Sequence, residues 1–131
     1  MTAFIEPDVP TLLRAHGIAG DEKPVAHNGF SGARISTIDS GGNRYWLKRV
    51  RYADDWIMQA LDDRTCREAE FAVSPIIGRL PASVGVPTLG AARDGDGWAI
   101  LSRDISASLL SQDGRESAAT CDQMLAALAE M

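Results

Sequence analysis

The chain has 131 residues, 45% of them hydrophobic and 24% charged, with a formal net charge of −5. That length suits one domain, able to bury about two thirds of its unfolded surface. The negative charge excludes a general attraction for nucleic acid or an anionic membrane, because the only dense basic run, Lys48-Arg49-Val50-Arg51, is short. No stretch approaches the ~20 apolar residues that span a bilayer, and the acidic, proline-containing N-terminus lacks the apolar core of a leader. The expectation is a soluble cytoplasmic protein. Cys66 and Cys121 lack metal-ligand spacing and read as reduced thiols in helical sequence.

In chain order, Asp8 to Gly17 predicts a short helix, with an aspartate cap, a proline in the first turn and a glycine stop. Leu12, Leu13 and Ile18 would pack it onto the body, with His16 at the helix end against terminal carbonyls. Residues 19–24 read as a linker. From Val25 to Val50 the pattern is strand, glycine turn, strand, hairpin and strand. The turn Asn28-Gly29-Phe30-Ser31-Gly32-Ala33 has glycines where a Cβ would obstruct, and successive backbone N–H groups in such a turn form an anion-sized concavity. Arg34 to Ile38 and Arg44 to Val50 flank a polar hairpin at residues 39–43, and Lys48 stands late on the second of these strands.

Beyond them, residues 52–61 predict a helix with a capping aspartate, and residues 64–80 a second one capped by Asp62-Asp63. Pro75 either bends that helix or marks a new start at Ser74. Residues 81–87 are loop, and Thr88 to Arg93 and Trp98 to Leu101 are strands joined by the turn at residues 94–97. Residues 102–106 leave as an extended connector. A last helix covers about 116–131, with Met124, Leu125 and Leu128 along one face. The fold expected is α+β: a five-stranded antiparallel sheet with a packed helix between strands three and four, plus an N-terminal and a C-terminal helix.

This order resembles the small lobe of kinase-like phosphotransferases, in the branch of the aminoglycoside phosphotransferases and choline kinases. Five features carry the resemblance in order: Asn28-Gly29-Phe30-Ser31-Gly32, the strand lysine in Tyr45-Trp46-Leu47-Lys48, the helix glutamate in Arg67-Glu68-Ala69-Glu70-Phe71, the Pro87 before strand four, and the connector Leu101-Ser102-Arg103-Asp104-Ile105. The resemblance implies ATP or GTP with Mg2+ as cofactor. In such a lobe a lysine holds the α- and β-phosphates and a glutamate holds the lysine. Lys48 would be that lysine, with Glu68 as its partner and Glu70 as the alternative. Two helical positions lie about 200° apart around the axis, so only one can face Lys48.

By the same resemblance, Asn28, Gly29, Phe30, Ser31 and Gly32 would cover the phosphates. The backbone of Ser102, Arg103 and Ile105 would grip the base, with Ile35 and Leu101 as candidate walls, Trp46 as a further candidate, and Asp104 in a structural role. Arg103 stands where relatives commonly carry an acidic residue. The domains implied are 1–24, a helix and linker; 25–106, the nucleotide-binding lobe with its hinge; and 107–131, the start of a large lobe. The family's catalytic His-x-Asp loop and metal-binding aspartates have no counterpart here; Asp62-Asp63 and Asp94-Gly95-Asp96 read as a helix cap and a hairpin turn. The expectation is a truncated kinase, inactive alone, whose partners are a nucleotide, a missing C-terminal lobe and, through an exposed apolar face, a second copy. The acceptor would be a small hydroxyl compound.

Overall fold

A computed structural model describes residues 4–26, 29, 31–109 and 115–131. The elements are α1 (Val9–Ala15), β1 (Glu22–Val25), β2 (Arg34–Ser40), β3 (Asn43–Val50), α2 (Trp56–Ala60), α3 (Arg67–Ala72), β4 (Thr88–Asp94), β5 (Gly97–Arg103) and α4 (Ala118–Ala129), with 3-10 turns at Pro75–Arg79 and Ser106–Ser108. The strands form one open antiparallel sheet in the order β1-β2-β3-β5-β4. The fold is α+β.

Turn chemistry sets the two tight hairpins. Gly41 and Gly42 both have positive φ, 58° and 79°, the two-residue turn whose twist matches its flanking strands. Its strands reach Ser40 and restart at Asn43, closer than a five-residue hairpin at 39–43. The β4–β5 turn needs positive φ only at Gly95, and Asp94 pairs directly with Gly97. Helix α1 starts as expected, with Asp8 Oδ1 accepting from the Thr11 amide at 2.7 Å.

The sheet is covered on both faces. On one, Val9, Leu12 and Ile18 from the α1 region bury Ile38, Leu47, Ala92, Ala99 and Leu101. On the other, Met58 of α2 and Ala69 and Ala72 of α3 pack on Val50, Ala91, Trp98 and Ile100. Ala69, Ala72 and Ala91 are fully buried, and such short side chains let a helix approach a sheet closely. Glu6 exchanges backbone bonds with Ala91 and Arg93, so the N-terminal segment covers part of the β4 edge.

Two expectations are corrected here. The linker at 19–24 ends in sheet: Glu22, Lys23 and Pro24 belong to β1, opposite Ile38, Thr37 and Ser36. Proline is tolerated there because β1 is an edge strand. The helix over 64–80 is two pieces, which follows the second alternative for Pro75. Cys66 sits in the left-handed region at φ 59°, so α3 begins only at Arg67, with both Asp63 oxygens accepting the Arg67 amide. It stops at Ala72, and Ser74 caps a separate 3-10 turn with Pro75 in its first turn. Two short helices therefore occupy the interval between β3 and β4.

Candidate functional site

Alternation along β3 puts Trp46, Lys48 and Val50 on the face that carries α2 and α3. Lys48 lies opposite Ile35 on β2 and Ile100 on β5. Its ammonium donates to Glu68 Oε2 at 2.7 Å. Glu68 is in the first turn of α3, where the helix dipole favours a carboxylate. It is fixed there because the adjacent Ala69 is buried against the sheet. Glu68 and Glu70 are both exposed, and the contact with Lys48 is what settles the choice on Glu68. Side-chain exposures of 34% and 49% leave the pair open to solvent, where such a bridge contributes about 0–1 kcal/mol. Stability alone is a weak reason for it.

Beside the pair is a cleft of about 220 Å³, bounded by Ser31, Lys48, Glu68 and the apolar corner of Met58, Leu61 and Cys66. The glycine turn is fastened over its edge. The Ser31 carbonyl accepts the first amide of α2, from Trp56, at 3.2 Å. Gly32 has φ 94°, and a Cβ there would lie 2.1 Å from the Asp54 carbonyl oxygen. Gly32 is therefore required by contact with the segment before α2, a packing reason independent of any phosphate. Gly29 is exposed, and the expected roles of Asn28 and Phe30 fall outside the described residues.

The acidic side chains near the cleft are engaged. Asp55 Oδ1 accepts the Ile57 and Met58 amides, each at 3.0 Å, and Asp63 caps α3. Asp62 instead accepts from Arg64 and the Tyr52 hydroxyl, so it is no helix cap, and this hydrogen bonding holds its carboxyl below the ordinary range. Asp94 and Asp96 pair with Arg49 and Arg51. Burial pushes the Cys66 thiol up, which keeps it protonated and unreactive. Among the described residues no three His, Cys, Asp or Glu side chains gather as a metal site.

The connector forms a second, neighbouring hollow of about 290 Å³, with Trp46, Pro87, Ser102, Ile105 and Leu109 in its walls. Ser102 is still part of β5, opposite both Trp46 and Thr88, and the Arg103 amide donates to the Pro87 carbonyl at 3.0 Å. Asp104 accepts the Trp46 indole N–H at 3.0 Å and the Ser106 amide at 3.0 Å; the hydrogen bonds of Ser106 and Trp46 hold its carboxyl low. Of the expected walls, Ile35 shares the Lys48 face. Leu101 does not: it is fully buried on the opposite face beneath α1, with Leu12 and Leu47.

A wider hollow, about 710 Å³, lies on the α1 face, and its central cation is committed. Arg49 makes two bonds to Glu22, at 3.0 and 2.7 Å, and a third contact to Asp94 at 2.8 Å. Those carboxylates raise the Arg49 pKa, and Arg49 in turn lowers that of Glu22. This clamp and the Trp46–Asp104 bond escaped sequence reasoning. Only the period-two link between Trp46 and Lys48 hinted at the second. His16 also departs from expectation: the backbone N–H groups of His16, Gly17 and Ile18 take the terminal carbonyls of α1, while the ring Nε2 is buried without a partner and burial lowers its pKa.

Comparison with protein-family models, with curated proteins and with solved structures finds no match to this chain. Among the described residues no helix is long and apolar enough to cross a membrane.

Proposed function

We propose that this chain is the nucleotide-binding lobe of an ATP- or GTP-dependent small-molecule phosphotransferase of the kinase-like type, acting on a hydroxyl acceptor. The observation that carries the reading is the 2.7 Å contact of Lys48 with Glu68 beside a cleft edged by Ser31. The sheet order, with α3 packed on β4 and β5, supports it as well. Lys48 binds the phosphate oxygens of the nucleotide, and Glu68 holds the ammonium in place as they arrive. Phosphoryl transfer is mostly positioning and charge neutralisation, so a preset cation is the part such a lobe supplies.

The base and the Mg2+-binding carboxylates belong, on this reading, to a second lobe. Asp55, Asp63, Asp94 and Asp96 are all taken up by caps or ion pairs. These residues by themselves bind nucleotide and transfer nothing. Thermal denaturation with and without millimolar Mg-ATP or Mg-GTP tests this. The wild-type chain is stabilised and Lys48→Ala is not; an absent or Lys48-independent effect sinks the reading.

A second reading, a non-catalytic module that dimerises, has its own observation. Helix α4 buries no residue, and Leu125 and Leu128 are 64% and 62% exposed. Apolar stripes of this kind mark association surfaces. A strictly monomeric chain at high concentration, by sedimentation, counts against it.

A further inference from the structure

The sheet face that carries α1 has a polar end. Leu47 and Leu101 are buried on that face, and alternation turns Asn43 and Tyr45 on β3 and Arg103 on β5 toward it as well. Tyr45 and Arg103 are direct partners across the two strands, which sets phenol and guanidinium side by side. With Leu89 of β4 and the His16 ring at the end of α1, they border a hollow of about 630 Å³. That size suits a small organic molecule.

Its donors are unused. Among the described residues the Arg103 guanidinium meets no carboxylate, and the Tyr45 hydroxyl and the Asn43 side-chain amide have no hydrogen-bond partner. The carboxylates nearest in the chain are turned to the other face and engaged there. Asp104 takes the Trp46 indole N–H, and Asp39 takes Arg44 at 2.8 and 3.3 Å, so the Arg44 charge at the rim is already matched. Burial lowers the His16 pKa, which keeps the imidazole neutral near pH 7. The charge that the hollow presents is therefore that of Arg103. A guanidinium fork beside a hydroxyl and an amide, with no acid facing it, is a donor set for the oxygens of an anion.

We propose that this hollow binds the oxyanion group, carboxylate or phosphate, of a small polar molecule, gripped by the Arg103 fork with Tyr45 and Asn43 as added donors. It lies on the sheet face opposite Lys48 and stands independently of the nucleotide reading.

Calorimetric titration of the whole chain with inorganic phosphate and with succinate, at constant ionic strength, is the test. All titrations use the Lys48→Ala chain, so that the opposite cleft adds nothing, and circular dichroism confirms that each variant is folded. One or both probes bind. Arg103→Ala in that background weakens binding about tenfold or more, the scale of a charge-assisted contact. Arg103→Lys recovers part of the loss, because the charge stays and the fork does not. Tyr45→Phe, which removes one donor, weakens binding about threefold. Binding of phosphate alone or of succinate alone identifies which oxyanion the site takes. If folded R103A binds within twofold of its parent, or if neither probe binds at millimolar concentration, the site is overturned. The Mg-ATP response of the wild-type chain is read separately and does not depend on that result.

Discussion

The ammonium of Lys48 on β3 and the carboxylate of Glu68 on α3 meet at 2.7 Å although 20 residues separate them in the chain. The contact joins the sheet to the helix packed on it, and half of it stays open to water. A pair so exposed contributes about 0–1 kcal/mol to folding. Lys48→Ala and Glu68→Gln are therefore expected to unfold in urea within about 1 kcal/mol of wild type, while both lose the thermal shift produced by Mg-ATP, K48A completely and E68Q in part. A large loss of stability with nucleotide response intact would show a structural bridge instead.

Gly32 and Gly41 both have positive φ, but their surroundings differ. A Cβ on Gly41 meets nothing within 4 Å, and one on Gly32 falls 2.1 Å from the Asp54 carbonyl. Gly41→Ala should cost only the left-handed backbone strain, about 1–2 kcal/mol. Gly32→Ala adds displacement of the segment before α2 and is expected to cost about 1–3 kcal/mol more. Equal melting temperatures for the two variants would refute this account of the glycine turn.

The clamp of Glu22 and Asp94 on Arg49 predicts acid sensitivity. The Arg49 guanidinium, as the largest cause, lowers the Glu22 carboxyl below its ordinary 4.5. A depressed folded value means that the stabilisation is fully present above pH 4.5 and is lost as pH falls through the folded value. Because the pair is partly exposed, the contribution is up to about 1 kcal/mol. In Glu22→Gln that increment is missing at neutral pH, and its stability converges on wild type in acid. Parallel pH–stability curves would remove the clamp from the explanation.

Leu125 and Leu128 contact little within the chain, so charge there costs little folding. Leu125→Glu with Leu128→Glu is expected to leave stability within about 0.5 kcal/mol per site. If α4 mediates self-association, the same double variant sediments as a monomer where wild type does not. Unchanged association places the contact elsewhere.

Much of the candidate site is legible in the residues. Gly41-Gly42 and Gly95 announce their hairpins, Asp8 and Pro10 open α1, and a lysine two positions after a tryptophan on a strand already puts both on one face. The rest needed distant contacts. Leu101 lies in Trp98-Ala99-Ile100-Leu101, apolar at every position because β5 is covered on both faces, so composition carries no parity signal to say which residue faces Lys48. The late start of α3, after Cys66, likewise has no local mark, since cysteine rarely adopts φ 59°.

Residue chemistry by itself determined the strand and turn framework, the lysine's place on it and the two glutamates available to it, because hairpin glycines, caps and alternation are local energetics. Only tertiary packing decided that Glu68 is the partner, that Leu101 belongs to the α1 core and that Asp104 grips Trp46. Each of those outcomes depends on the rotation of a helix or the register of a strand, and these are set by the burial of Ala69, Ala72 and Leu47 rather than by the residues that carry the charge.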